Sequence, residues 1–148
     1  MRLLASTDIA LRVLMRLAAG PPDRDRAEQM FNVETLSREL GGLSRNHLHK
    51  IVQDLAALGV VRTIRGAGGG VVLAMPPDKI RVGTLIRQLE GDQPMVECFR
   101  ADGGGCTLSA GCRLRGFLDS AREDFYRSLD TRTVADCLPA FLSVAATD

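Results

Sequence analysis

Two short amphipathic segments joined by a glycine turn, with a glycine-rich hairpin directly after them, predict a mainly α chain built on a winged helix-turn-helix. Apolar residues recur at helical intervals over residues 33–40 and from residue 45 to about residue 58. Gly41 and Gly42 separate these segments, as in a helix-turn-helix. A third observation completes the fold class: residues 113–129 form a long amphipathic segment suited to a C-terminal dimerisation helix.

Capping residues set the boundaries of the predicted helices. Thr7 is a candidate cap for a first helix over residues 8–19, and Asn32 and Ser44 are candidate caps for the two helices of the helix-turn-helix. We also expect residues 27–31 to add a helical turn.

The remaining elements follow the helix-turn-helix in the chain. β-Branched runs at residues 60–65 and 71–74 flank the glycines and predict a two-stranded wing. Helices are expected over residues 82–89, 113–129 and, as a short last element, 131–141. Because little else in the chain could cover the apolar stripe of the long helix, we expect it to pair with its counterpart in a homodimer.

Basic and polar side chains concentrate on the second helix of the motif and on the wing, although the net charge of the chain is only +1. Arginine and asparagine suit hydrogen bonds to base edges, lysine suits phosphate, and wing glycines permit close approach to the backbone. We therefore expect binding to a two-fold operator in double-stranded DNA. The candidate DNA-binding residues are Ser44, Arg45, Asn46, His47, His49, Lys50, Arg62, Arg65, Gly68 and Gly69.

The chain of 148 residues divides into three predicted parts. These are a DNA-binding domain over residues 1–91, a ligand loop over residues 92–112, and a dimerisation helix with a C-terminal segment over residues 113–148. No apolar run reaches the roughly 18 residues of a membrane span, and the first residues lack a signal-peptide core, so we expect a cytoplasmic protein.

Three of the four cysteines, Cys98, Cys106 and Cys112, lie in the ligand loop. In a reducing cytoplasm, thiols this close in sequence suit a metal centre better than structural disulfides. Their gaps are wider than the paired spacing that zinc prefers and are compatible with an iron–sulfur cluster. A cluster-free, thiol-based regulator remains an alternative. An enzyme with a cysteine nucleophile is disfavoured because the two histidines lie on the predicted DNA-binding helix.

A fourth ligand must come from outside the three loop thiols. Cys137 is the first choice by chemistry, but its apolar neighbours also suit a core cysteine. Asp8 is a carboxylate that could reach across a dimer, whereas Glu97 and the histidines are weaker candidates.

Taken in order, these parts resemble the winged-helix iron–sulfur transcriptional repressor family of NsrR and IscR. The likeness covers almost the whole chain and is most specific at four stretches. These are Thr7-Asp8-x-Ala10-Leu11-Arg12, Ser44-Arg45-Asn46-His47 with Lys50-Ile51, Arg65-Gly66 with Gly69-Gly70, and Cys112-Arg113-Leu114. The resemblance implies a [4Fe-4S] or [2Fe-2S] cluster on Cys98, Cys106 and Cys112, completed by Asp8 of a second subunit.

Two stretches are most similar to the nitric-oxide-sensing branch of that family. They are Ser44-Arg45-Asn46-His47, at the start of the second helix of the helix-turn-helix, and the segment from Thr133 to Asp136. The resemblance then implies a repressor of nitrosative-stress genes that nitric oxide inactivates. A regulator of the same fold that senses iron status or redox state is the alternative. Residues 103–105, all glycine, make the first cysteine gap longer than the family pattern and leave the number of irons open.

Overall fold

The computed structural model describes residues 2–19, 30–66, 68–91, 93–108 and 110–139. Helices and a hairpin follow one another in these ranges as a winged helix-turn-helix requires. The elements are α1 (Ala5–Ala18), α2 (Val33–Glu39), α3 (Arg45–Ala57), β1 (Val61–Ile64), β2 (Gly70–Leu73), α4 (Val82–Glu90) and α5 (Arg113–Leu129). Within these ranges, no helix is both long enough and apolar enough to cross a bilayer.

Helix α1 lies at the centre of the hydrophobic core. Its Val13 and Leu14 are fully buried, and it contacts α3, β2 and α4. Leu36 of α2 and Leu48 of α3 complete this core, which holds the two helices of the helix-turn-helix against α1. Strands β1 and β2 pair antiparallel, with Val61 opposite Leu73.

Helices α4 and α5 form an antiparallel pair around a second, smaller cluster of Val82, Ile86 and Tyr126. Arg87 donates to both carboxylate oxygens of Glu123 at 2.6 and 2.8 Å, and its guanidinium lies 4.4 Å from the centre of the Tyr126 ring. The hydrogen bond from Arg87 lowers the pKa of Glu123 below its usual value. The α4–α5 contact therefore combines apolar burial with a bidentate ion pair.

The start of α1 differs from the prediction. The helix begins at Ala5 with Leu4 in the capping position, because the Leu4 amide donates to Glu90 Oε1 at 3.0 Å and fixes the chain one turn earlier. Thr7 is therefore not a cap. It is fully buried inside the helix, and its hydroxyl has no hydrogen-bond partner among the described residues.

The helix-turn-helix caps are closer to expectation. The Asn32 side chain accepts from the Thr35 amide at 2.7 Å, which confirms the predicted cap. Ser44 occupies the capping position of α3, but its side chain makes no capping bond. The expected helical turn over residues 27–31 is wrong at Phe31, which forms a β-bridge with Val71 through both backbone hydrogen bonds. Residues 27–29 lie outside the described ranges.

The segment after α5 also departs from the expected helix over residues 131–141. Its described part forms a 3-10 helix at Ala135–Cys137, and residues 140–141 lie outside the described ranges. The Val134 amide donates to the Ile80 carbonyl at 2.9 Å, and the Val134 side chain joins the main core. The division into three parts stays a prediction.

Gly83 sets the distance between α4 and α5. A Cβ at this position would lie 2.8 Å from Asp130 Cγ and closer still to the Tyr126 carbonyl oxygen. We expect Gly83→Ala to lower the free energy of unfolding by about 2–3 kcal/mol through overpacking, as measured by urea denaturation.

Gly116→Ala is the matched control, because Gly116 lies in α5 and a Cβ there meets nothing within 4 Å. We expect Gly116→Ala to raise the free energy of unfolding by about 0.5–1 kcal/mol, because alanine has a higher helix propensity than glycine. Equal effects of the two substitutions would contradict the assignment of Gly83 as a spacing residue.

Candidate nucleic-acid interface and cysteine site

The amino half of α3 presents one polar face to solvent. Leu48 and Ile51 are buried on the other side of the helix and fix its rotation. The predicted DNA-binding side chains therefore lie outside the core. The exposed residues of this set are Ser44, Arg45, Asn46, His47, His49 and Lys50.

Two cations of this face are already engaged by carboxylates. Arg45 Nη1 lies 2.9 Å from Glu34 Oε2 on α2, and both side chains are about two-thirds exposed, at 69% and 65%. Lys50 Nζ lies 3.1 Å from Asp54 Oδ1. Because exposed pairs are weak, either cation can exchange its partner for DNA.

The wing adds Arg62 and Arg65, which are exposed and make no ion pair with any described residue. Gly68 has a φ of +85°, which favours glycine. Gly69 is needed for a different reason, because a Cβ there would collide with the Ile64 carbonyl oxygen of β1. The wing glycines thus shape the hairpin tip between the two arginines and β2.

The first part of the cysteine loop folds back on itself. The Gly105 amide donates to Glu97 Oε1 at 3.1 Å, and the Gly104 backbone lies against the Glu97 carbonyl so closely that only glycine fits. Cys98 and Cys106 each follow one of these contact points directly in the chain. The fold-back therefore brings the two cysteine segments together.

The last cysteine lies at the amino end of α5, where Cys112 is the N-cap residue. Cys112 and Phe99 line one cavity, and the guanidinium of Arg122 lies 5.0 Å from the centre of the Phe99 ring. Because Phe99 follows Cys98, all three cysteine segments meet at this end of α5. Cys98 is buried, and Cys106 and Cys112 are half-buried.

The described residues of one chain do not assemble a complete donor set. Among the described residues, no group of three or more histidine, cysteine, aspartate or glutamate side chains is gathered closely enough to hold a metal ion. Between the first two cysteines, Arg100 donates to Asp102 at 2.9 and 3.0 Å. That bond, together with the Gly104 amide, lowers the pKa of Asp102. The loop is thus ordered by its own polar contacts, with the cysteine segments adjacent.

Cys137, a candidate fourth ligand, lies at the wrong end of α5. Helix α5 has 17 residues and so spans about 25 Å, with Cys112 before its amino end and Cys137 after its carboxyl end. Partial burial, and then the charge of Asp136, raise the pKa of the Cys137 thiol. The distance from Cys112 and the raised thiol pKa both disfavour Cys137 as a ligand.

Asp8 lies exposed near the start of α1, where Arg12 Nη2 approaches its carboxylate at 2.6 Å. The hydrogen bond from Leu4 to Glu90 ties this end of α1 to the end of α4, from which the cysteine loop begins. Of the weaker candidates, Glu97 is engaged by Gly105, and His47 and His49 lie on α3.

Sequence reasoning missed four residues of these sites: Glu34, Phe99, Arg115 and Arg122. Glu34 and Phe99 have no local signal, because their roles depend on tertiary contacts. The two arginines do have a local sequence signal. Arg115 and Arg122 are seven residues apart, so they share one face of α5, which begins directly after Cys112.

Comparison with known proteins identifies the family. A family model described as an iron-dependent transcriptional regulator, Rrf2, matches residues 3–140. The chain belongs to the Rrf2 family. The transcriptional regulator NsrR of Geobacillus kaustophilus is 41% identical over 93% of this chain and 90% of its own length. The transcriptional repressor NsrR of Streptomyces coelicolor is 41% identical over 95% of this chain and 90% of its own length.

Solved structures of Rrf2-type regulators share the fold. IscR of T. potens has a TM-score of 0.65 at 23% identity, covering 93% of this chain and 85% of its own. The oxidised form of CymR from Staphylococcus aureus has a TM-score of 0.67 at 23% identity, covering 93% and 95%. The predicted winged-helix fold, the family resemblance and the role as a DNA-binding transcriptional regulator are confirmed.

Proposed function

We propose that this Rrf2 chain is a cytoplasmic, homodimeric repressor with an iron–sulfur cluster on Cys98, Cys106 and Cys112, and that nitric oxide releases it from double-stranded DNA. The observation that carries the proposal is the meeting of the three cysteine segments at the amino end of α5. The choice of nitric oxide rests on the resemblance to the nitric-oxide-sensing branch and on relatives named NsrR.

The donor set fits an iron–sulfur cluster. Thiolates are the preferred protein ligands of such clusters, which tolerate irregular ligand spacing. The loop contacts bring the three cysteine segments near one another, and the described residues contain no preformed metal site. Cluster binding would therefore draw Cys106 and Cys112 toward a common centre. When bound, a cluster supplies iron that reacts with nitric oxide.

A second copy of the chain is the proposed partner of α5. In one chain, Leu114 and Phe117 are 60% and 66% exposed, whereas Tyr126, further along the helix, is buried against α4. The amino half of α5 thus leaves an apolar stripe unpacked beside Cys112. Such a stripe is suited to a two-fold contact between identical helices.

Asp8 is the proposed fourth ligand, donated by the second subunit. Its carboxylate is exposed, and its only described partner is Arg12 on the same helix. To ligate the cluster, the Asp8 carboxylate would have to break its ion pair with Arg12 or keep it with only one of its two oxygens. Helix α1 contacts α3, and both helices contribute buried side chains to one core. A change in the position of Asp8 would therefore be passed to the proposed DNA-binding helix.

The experiment that tests the function is anaerobic purification with assay of iron and sulfide, followed by nitric oxide titration while DNA binding is measured. We expect the wild-type chain to contain iron and sulfide and to lose specific DNA binding on titration. Cys106→Ala is expected to lose most of the iron and sulfide, whereas Cys137→Ala retains both. Full loading of the Cys106 variant would contradict the ligand assignment, and a metal-free wild type would favour a thiol-based regulator.

Mixed dimers can show whether Asp8 acts within its own subunit or across the interface. A dimer of one Asp8→Ala chain and one Cys106→Ala chain has a complete ligand set only if Asp8 crosses to the other subunit. We expect each variant alone to assemble little cluster and the purified mixed dimer to recover about half of the wild-type content, since one of two sites is restored.

The two variants carry different affinity tags, so tandem purification isolates the mixed dimer. No recovery would place Asp8 in its own subunit or outside the ligand set.

DNA recognition is proposed to rest on Arg45 and Lys50 of α3 and on the wing arginines. Arg45→Ala is expected to weaken specific binding about tenfold or more, as for loss of a base contact. Glu34→Gln should instead strengthen binding by up to about fivefold, because it releases Arg45 from a weak exposed pair and removes a charge that repels phosphate. Fluorescence anisotropy at several salt concentrations measures both.

Arg127→Ala on α5 is the control for loss of one positive charge, because Arg127 pairs with Asp124 away from α3. Its DNA affinity should equal that of the wild type. Weaker binding by the Glu34 variant would show that this carboxylate assists recognition.

A further inference from the structure

A cavity of about 330 Å³ opens beside Cys112, between the cysteine loop and α5. Phe99 forms its loop side, and Arg115, Gly116, Asp119 and Arg122 form its helix side. The cavity therefore adjoins the cysteine site, but its helix side carries charged side chains that the ligand set does not use.

The charges of this cavity are unbalanced. Asp119 Oδ1 accepts from Arg122 Nη2 at 2.7 Å, and Arg115 makes no hydrogen bond or ion pair with any described residue. Two guanidinium groups thus face one carboxylate. In addition, Arg122 Nε is buried and has no hydrogen-bond partner among the described residues. A buried donor of this kind calls for an acceptor, which the described residues do not supply.

The surroundings favour an anionic occupant at Cys112. Cys112 caps the amino end of a 17-residue helix, where the helix dipole favours negative charge. Arg122 is held in place by Asp119 and by the Phe99 ring, 5.0 Å from its guanidinium. The amino end of α5, Cys112 and the two arginines therefore border the same cavity.

We propose that Arg115 and Arg122 are a charge-compensating pair that stabilises the negative charge of the thiolate-ligated cluster at Cys112. This inference rests on the proposed function, because it requires a cluster on the loop cysteines. The net charge around a cluster and the hydrogen bonds to its ligands set its reduction potential. Loss of a nearby positive charge makes addition of an electron less favourable and lowers the potential.

The test is a reductive titration of the reconstituted full chain with dithionite under anaerobic conditions, followed by visible and electron paramagnetic resonance spectra. We expect Arg115→Gln and Arg122→Gln each to shift the midpoint potential downward, and the double variant to shift it further. Arg122→Lys keeps the charge and is expected to restore most of the wild-type potential. Arg127→Gln, on the same helix and paired with Asp124, is the control and should leave the potential unchanged.

Thermal unfolding of the cluster-free proteins separates a structural effect from an electrostatic one. Arg115 is exposed, so we expect Arg115→Gln to unfold at the wild-type temperature. If Arg122→Gln unfolds at a lower temperature, the midpoint potential of the Arg115 variant still tests the inference. A cluster-loaded Arg115 variant with the potential of the Arg127 control would overturn the inference. A wild-type chain without iron and sulfide would instead overturn the proposed function, and this inference with it.

Discussion

Helix α1 packs against the helix-turn-helix on one side and against α4 on another. Val13 and Leu14 have no solvent contact, so α1 cannot shift without disturbing α3, which carries the proposed DNA-binding side chains. The same helix begins at a hydrogen bond to Glu90 and carries Asp8 one turn later. A single rigid element thus connects the end of α4, where the cysteine loop begins, to the proposed DNA-binding helix, and close packing makes that connection stiff.

Periodicity and capping preferences predicted the elements, because these are local properties of the chain. Asn32 illustrates the success: a cap residue before an apolar run bonds the helix it precedes. Thr7 has the same preference but is buried, because a tertiary hydrogen bond from Leu4 starts the helix one turn earlier. Phe31 is likewise drawn into a β-bridge by Val71, 40 residues away in the chain. Long-range contacts of this kind leave no periodic signal.

The cysteines of the candidate site were evident from the sequence because their chemistry is unusual and they lie close together. Their surroundings were not, since Arg115 and Arg122 alternate with acidic residues as on any solvated helix face. The contact of Phe99 with Arg122 depends on how the loop folds back, and residues 103–105 give no indication of that fold beyond their flexibility. The loop conformation therefore had to come from the structure.

The exposed apolar turn of α5 that carries Leu114 and Phe117 lies immediately after Cys112. If, as proposed, each subunit donates a ligand to the other, assembly and cofactor retention would be two reciprocal equilibria, each strengthening the other by the same factor. Occupancy of the site would then depend on how much of the protein the cell contains. At low abundance the subunits would separate and lose their cofactor together, so the amount of regulator would itself act as an input beside the chemical signal.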